Sequence, residues 1–155
     1  MQMTHVAFSD ESDHNQKRFR SIALVSMKIK ILESLRSEFN LAMNTSDLYG
    51  KELKWEKIRN AKYRFAALKF LSILYPYILD HDLRIDSIIW DTYDARHSIK
   101  SRDDKRNFSI MYYHQLFDCL RNRWPSRSLW GFYPDETSIV DWDEFLKIME
   151  NSAPV

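Results

Sequence analysis

The first 27 residues contain two apolar runs that flank a charged stretch, and the first run alternates with a period of two. Residues 4–11 place Thr, Val, Phe and Asp on one side and His, Ala, Ser and Glu on the other. This alternation is typical of a strand that is buried on at least one face. A second apolar run covers residues 19–27 and is too continuous for a solvated edge. Together the two runs predict a β-hairpin whose loop holds the charged stretch DESDHN, residues 10–15.

From residue 28 the apolar positions recur at helical spacing. They predict helices over 28–43, over 60–79 (the strongest), from Asp103 or Asp104 to about residue 123, and after Asp141. Strands are predicted between them over 83–91 and 128–135. The order is therefore β-β-α-α-β-α-β-α.

Strands that are separated by helices predict right-handed crossovers and parallel pairing, beside the one antiparallel hairpin. The expected fold class is α/β, with a mixed sheet flanked by helices. A chain of 155 residues with 45% hydrophobic and 29% charged positions fits one globular domain, residues 1–155.

Composition excludes several classes of protein. Gly50 and Gly131 are the only glycines, which argues against a glycine-rich phosphate loop and a turn-dense β-barrel. A single cysteine, Cys119, excludes a disulfide framework and a cysteine-based zinc site within this chain. The N-terminus lacks the pattern of a secretory signal, and no apolar window is long enough for a membrane span. The predicted compartment is the cytoplasm, with no membrane partner.

Three predicted strands end in an aspartate, namely Asp10, Asp91 and Asp135. If these strands are parallel, their carboxyl ends share the sheet edge where ligands of open α/β sheets bind. Aspartates that converge there would repel one another unless a cation lies between them, and oxygen ligands suit Mg²⁺ or Mn²⁺. The pattern indicates a metal site for phosphodiester hydrolysis, in which one or two ions activate a water. For any one of these aspartates alone, a turn after the strand is the preferred interpretation, and only their repetition favours the metal site.

The stretch SDES, residues 9–12, resembles the opening motif of the RNase H-like domain-of-unknown-function family number 3800. Glu52 and Lys54 of KELKW match the Glu-x-Lys element of that family, and Asp135 with Glu136 matches its third acidic position. The resemblance spans most of the chain. It implies an RNase H-like fold, metal-dependent nuclease chemistry, Glu52 as a further metal ligand and Lys54 as a phosphate neutraliser.

The chain departs from this family pattern in two places. Asp13 stands where the opening motif has glycine, so the turn is expected to take another backbone path. The C-terminal helix with the last acid of the family has no counterpart before Val155. We therefore expect either a shortened domain or a site to which another protein chain supplies the missing element.

Other residues carry both a functional and a structural interpretation. Glu52 is a metal ligand, half of an i,i+4 pair, or part of a solvated face with Lys51 and Lys54. His14 is a proton shuttle or an exposed loop histidine. Glu11 and Glu136 are secondary candidates beside the main acids. The basic clusters at 17–20, 51–59, 96–106 and 121–127 either neutralise phosphates or form solvated faces, since the net charge is only +1.

Aromatic residues alternate along the last predicted strand. Core packing is the preferred interpretation of Trp130, Phe132 and Tyr133, with base stacking as the alternative. Cys119 lies on the apolar side of its helix and is expected to be an inert core thiol.

The sequence predicts a nuclease that uses Mg²⁺ or Mn²⁺ and acts on DNA or RNA. Its expected metal ligands and catalytic residues are Asp10, Glu52, Asp91 and Asp135. The alternative is a non-catalytic RNase H-like module that binds a protein partner in a larger defence or toxin-like assembly.

Overall fold

The computed structural model describes residues 2–12, 18–97, 99–100, 102–135 and 140–152. Four strands and four α-helices follow the predicted order. The elements are β1 (His5–Ser12), β2 (Phe19–Lys28), α1 (Leu32–Thr45), α2 (Ala61–Leu79), β3 (Leu83–Asp91), α3 (Asp104–Leu116), β4 (Trp130–Pro134) and α4 (Trp142–Ser152).

The helix starts follow from local capping residues. Asn60 caps α2 by accepting a hydrogen bond from the Lys62 amide at 2.9 Å. Asp103 caps α3 in the same way, accepting from the Arg106 amide at 2.8 Å. Asp141 accepts from the Glu144 amide at 3.0 Å before α4 begins. Such caps satisfy amide groups that the helix itself leaves unpaired.

The four strands form one mixed sheet in the order β3-β2-β1-β4. β1 and β4 pair in parallel, with His5 opposite Trp130 and Ser9 opposite Pro134. The end of β3 meets the start of β2, where the Thr92 amide donates to the Arg18 carbonyl at 2.8 Å. The start of β3 meets the end of β2, so the two strands are antiparallel. The strands β1, β3 and β4 therefore share one direction, and their carboxyl ends lie at one edge of the sheet.

The chain divides into two compact units. The first comprises Met1–Ser26 and Ile85–Val155, and the second comprises Met27–Arg84. Within the first unit, α3 and α4 cover one face of the sheet, which we call the inner face. The core on this face is a continuous buried cluster of Ala7, Ile22, Leu24, Trp90, Phe108, Met111, Tyr112, Leu116, Cys119, Val140 and Phe145.

In the second unit, α1 and α2 pack against each other through a stacked pair of rings, Phe39 and Phe70, whose centroids lie 4.2 Å apart. Ala66 is the one fully buried residue that α2 contributes among the described positions. Phe65, Leu68 and Leu71 are exposed. The apolar character of α2 is thus largely presented to solvent.

The α/β class with a mixed sheet is confirmed, and the arrangement is compatible with an RNase H-like fold. Two boundaries differ clearly from the prediction. β1 continues through Asp10 to Ser12 because its hairpin with β2 extends that far, as the 2.6 Å contact between the Ser12 and Ser21 hydroxyls shows. α3 ends at Leu116 and is followed by one π-helical turn, Phe117–Arg121. The single-domain assignment stays a prediction.

Candidate functional site

Asp10 lies two residues before the end of β1, and Asp135 directly follows the parallel strand β4, so the two occupy neighbouring positions. The β1–β4 register ends with Ser9 opposite Pro134. The Asp135 amide then donates to the Ser9 carbonyl at 2.9 Å, which carries the pairing one residue further. Adjacent strands lie about 4.8 Å apart, so the two aspartates start from neighbouring backbone positions. Both residues are exposed.

Asp10 and Glu11 point to opposite faces of the sheet, because side chains alternate along a strand. Glu11 is on the inner face, where its carboxylate accepts a hydrogen bond from the Tyr112 hydroxyl at 2.5 Å. Burial, together with this bond, raises the pKa of Tyr112 well above its usual value. The Ser9 hydroxyl donates to the same Tyr112 oxygen at 3.4 Å. Glu11 thus fixes α3 against β1, whereas Asp10 lies on the other face.

Asp91 ends β3 at the same edge, but it is engaged by an arginine. The Arg18 guanidinium donates Nε to Asp91 Oδ1 at 3.1 Å and Nη2 to Oδ2 at 2.9 Å. The Tyr93 amide adds a third bond to the carboxylate at 3.0 Å. The pKa of Asp91 is therefore lowered, chiefly by the Arg18 hydrogen bonds. In sheet order, β2 separates β3 from β1, which places Asp91 one strand further from Asp10 than Asp135 is.

Glu52 and Lys54 belong to the second unit and pair with each other. Lys54 Nζ lies 3.1 Å from Glu52 Oε2, with both side chains substantially exposed. The hydrogen bond to Glu52 raises the pKa of Lys54. The pair joins residues two positions apart, so it is not an i,i+4 pair, and its exposure agrees with a solvated face. The role of Glu52 as a ligand stays a prediction.

Two of the secondary candidates, His14 and Glu136, lie outside the described residues. Within the described ranges, no group of three or more His, Cys, Asp or Glu side chains is placed to hold a metal ion. Asp10 and Asp135 are therefore the predicted ligands that the described fold places on neighbouring strands.

Several residues of the basic clusters are engaged in internal ion pairs. Arg96 binds Asp94 in a two-pronged pair, and Arg106 lies 3.3 Å from Glu144. Arg123 is paired with the buried carboxylate of Asp86. These partners reduce the positive charge that the clusters present, as expected for a chain of net charge +1.

The core-packing interpretation of the last strand is wrong for one of its three aromatic residues. Trp130 and Phe132 pack against the buried cluster of the inner face. Tyr133 points to the opposite face and is 50% exposed. There its ring stacks on Phe8, with centroids 5.4 Å apart and planes 22° from parallel. Side chains alternate between the two faces of a strand, so Tyr133 must lie on the face opposite to Phe132. The sequence could therefore have identified Tyr133 as the exception.

Cys119 is buried, and its environment raises the pKa of the thiol to about 11. Burial is the main cause, followed by the nearby Asp86 carboxylate. The thiol is thus kept protonated, which agrees with the expected inert core residue.

The donor set at the β1–β4 edge fits a hard divalent cation. Carboxylate oxygens are the ligands that Mg²⁺ and Mn²⁺ prefer, and an exposed position leaves room for the waters that Mg²⁺ retains. Two carboxylates on neighbouring strands also repel each other, which a cation would relieve. Asp91 fits less well, because a cation would have to compete with Arg18 for its oxygens.

Two proteins of Methanothermobacter thermautotrophicus are similar to this chain. The Uncharacterized protein ORF2' is 38% identical over 144 residues, which cover 88% of this chain and 50% of that protein. The Uncharacterized protein ORF2 is 35% identical over 153 residues, covering 92% of this chain and 52% of that protein. The chain therefore spans about half the length of the curated relatives it matches. No family model matches the chain, and no solved structure matches it.

The described part of the chain includes the helices α1 to α4. None of them combines the length and the apolar character that crossing a bilayer needs.

Proposed function

We propose that the chain is a phosphodiesterase that cleaves DNA or RNA with Mg²⁺ or Mn²⁺ held by Asp10 and Asp135. The observation that carries the proposal is the parallel pairing of β1 and β4, which aligns these two exposed carboxylates at the carboxyl ends of their strands. Ligand sites of open α/β sheets lie at this edge. The resemblance of SDES and KELKW to an RNase H-like family supports the same chemistry.

In this proposal, the carboxylate oxygens of Asp10 and Asp135 hold and orient a divalent cation. When bound, the cation neutralises phosphate charge and activates water. The water oxygen forms a bond to phosphorus as the bond from phosphorus to the leaving oxygen breaks. The proton released by the water ends on that leaving oxygen or in solvent, and the products are a phosphate monoester and a hydroxyl group.

Glu11 and Asp91 take supporting parts. Glu11 positions the end of β1 through its bond to Tyr112. Asp91 holds Arg18 at the same sheet edge, where the arginine side chain remains 54% exposed. An arginine in this place suits contact with a phosphate beside the metal. Glu52 and Lys54 remain predicted from the family resemblance as a further ligand and a phosphate contact.

The proposal is tested by measuring cleavage of labelled single- and double-stranded DNA and RNA with Mn²⁺, with Mg²⁺ and with EDTA. Asp10→Asn and Asp135→Asn should each lower the rate by more than about a hundredfold, the upper end of what losing an outer-shell partner costs. Asp91→Asn should lower it less, because its carboxylate serves Arg18.

The matched control is Asp80→Asn, an exposed carboxylate at the end of α2 in the second unit. Its cleavage rate should equal that of the unmodified chain. Cleavage that persists unchanged in Asp10→Asn, or that proceeds equally well in EDTA, would refute the assignment. Glu52→Gln, measured alongside, decides whether the family-derived third ligand takes part.

A non-catalytic module that binds a protein partner is the second candidate, and one observation favours it. α2 exposes Phe65, Leu68 and Leu71, and large exposed apolar patches mark interaction sites. Thermal melting separates the two candidates. Stabilisation by Mn²⁺ that disappears in Asp135→Ala supports the nuclease, whereas melting that is independent of metal in both chains supports the module.

A further inference from the structure

The second face of the sheet, opposite to α3 and α4, carries exposed aromatic side chains next to the aspartates of the proposed site. We call it the outer face. Phe8 lies two residues before Asp10 on β1, and Tyr133 lies two residues before Asp135 on β4. Because side chains repeat every two residues along a strand, each aromatic ring points to the same face as the aspartate that follows it.

The two rings form one aromatic platform. Phe8 is opposite Tyr133 in the β1–β4 register, and their rings stack with centroids 5.4 Å apart. Phe8 is 37% exposed and Tyr133 is 50% exposed, so their outer ring surfaces remain accessible. Met3 packs over Gly131, since a Cβ at this position would lie 2.6 Å from Met3 Sδ.

A second aromatic group lies at the same sheet edge, around Arg18. The guanidinium carbon is 4.9 Å from the centroid of Phe19 and 5.4 Å from that of Tyr93. Along β2, Ile22 and Leu24 are buried in the core of the inner face. Phe19 lies an odd number of residues before both, so its side chain is on the outer face. Both rings are exposed. A cation held among accessible rings suits a ligand that combines flat aromatic groups with phosphates.

We propose that the outer face binds single-stranded nucleic acid by stacking unpaired bases on Phe8 and Tyr133. This inference rests on the proposed function and names its substrate class. Every base has a flat face that can stack on an aromatic ring, but the bases of a duplex are already stacked on each other. A strand that places a base on the platform has its backbone beside Asp10 and Asp135, where cleavage is proposed.

The composition of the face favours nucleic acid over a protein partner. Charged groups surround the exposed rings, namely the carboxylates of Asp10, Asp91 and Asp135 and the guanidinium of Arg18. An apolar protein surface that bound here would have to remove water from these charges, which costs free energy. A nucleic-acid strand instead finds accessible rings for its bases and the donors of Arg18 for its phosphates, while the exposed carboxylates stay hydrated. The rings of Phe8 and Tyr133 then supply the stacking energy. The residues at the sheet edge supply the contacts to phosphate.

Binding is measured by fluorescence anisotropy in EDTA, with a labelled thymidine oligomer, its uridine counterpart and a DNA duplex of the same length. The single strands should bind more tightly than the duplex. Tyr133→Ala and Phe8→Ala should each weaken single-strand binding by roughly five- to a hundredfold, since one base loses its stacking partner. The uridine and thymidine oligomers distinguish an RNA from a DNA substrate.

Matched variants separate stacking from general effects. Tyr133→Phe keeps the ring and should bind as the unmodified chain does, whereas Tyr133→Leu keeps an apolar side chain without a ring and should bind weakly. Tyr75→Ala removes a tyrosine of α2 that is 62% exposed and should have no effect. Circular dichroism of each variant verifies the fold, and Tyr133→Leu provides the test if an alanine variant unfolds.

Tight binding by Tyr133→Leu, equal affinity for the duplex, or no binding of any oligomer would overturn the inference. These failures are distinguishable from failure of the nuclease proposal. Asp10→Asn should lose cleavage but still bind single strands in EDTA. Single-strand binding without metal-dependent cleavage would refute the nuclease alone, and metal-dependent cleavage of duplexes without single-strand binding would refute the stacking surface alone.

Discussion

Helices α2 and α3 start from similar local signals but end in opposite environments. Each has a capping side chain at its start, Asn60 for α2 and Asp103 for α3. α3 buries Phe108 and Tyr112 completely within the core of the first unit. α2, the more apolar sequence of the two, leaves Phe65 exposed and buries Ala66.

This difference separates helix formation from burial. Capping and apolar spacing act within about one or two turns and specify where a helix forms. Burial depends on what packs against the helix, and hydrophobic stabilisation scales with the apolar area that is removed from water. The following predictions test this separation, beginning with the largest effect.

The sharpest contrast is between a buried and an exposed phenylalanine. Phe108→Ala should lower the free energy of unfolding by about 3–5 kcal/mol, because it removes a fully buried ring and leaves a cavity. Phe65→Ala on α2 should cost less than about 1 kcal/mol, as is usual for exposed positions. Urea denaturation followed by circular dichroism measures both. Equal losses would mean that α2 is as deeply packed as α3.

The next effect concerns the polar contact inside the first unit. Tyr112→Phe removes the donor to the Glu11 carboxylate and should cost about 1.5–3 kcal/mol, the usual contribution of a hydrogen bond to a charged group. Tyr75→Phe on α2 is the exposed control and should be neutral.

The same contact predicts a dependence on alkaline pH. Folding raises the pKa of Tyr112 above that of the unfolded chain. Above the ordinary tyrosine pKa of about 10, the unfolded chain loses its proton more readily, so the free energy of unfolding should fall as pH rises. Urea denaturation at pH 8 and above measures this loss, which should be absent in Tyr112→Phe. A loss of the same size in both chains would assign the effect to other tyrosines.

The helix caps should have nearly equal effects in the two environments. Asp103→Ala and Asn60→Ala should each cost about 1 kcal/mol, because each removes one bond from a cap side chain to a helix amide. Urea denaturation provides the comparison, with Asp103→Asn as the variant that keeps an acceptor. A much larger loss at Asp103 would show that capping is amplified by the core.

The smallest effect is expected at the exposed pair of Arg18 and Asp91. The lowered pKa of Asp91 means that the pair stabilises the fold above the usual aspartate pKa of about 3.9 and loses this contribution as pH falls through the lower folded value. Arg18→Gln should therefore be less stable than the unmodified chain at neutral pH, and the difference should vanish in strong acid. Thermal melts across this pH range measure it, and a difference that persists in acid would contradict the assignment.

The candidate site was predictable from sequence only in part. Asp10, Asp91 and Asp135 were found because each follows a strand-like apolar run, and their strands do run in one direction. The local sequence pattern could not identify which distant residue lies beside each aspartate. Arg18 is 73 positions away from Asp91 in sequence, yet it binds that carboxylate. The β1–β4 register, which sets Asp10 beside Asp135, likewise joins residues more than 120 positions apart.

By itself, the sequence determined the order of strands and helices, their capping residues and the α/β class. These depend on apolar periodicity and on bonds between residues a few positions apart, which the order of amino acids specifies directly. Only the tertiary structure decided that Tyr133 stacks on Phe8, that Glu11 holds Tyr112, and that α2 keeps its apolar side in solvent. Each of these depends on the pairing and packing of distant segments, where one residue of register exchanges the two faces of a strand.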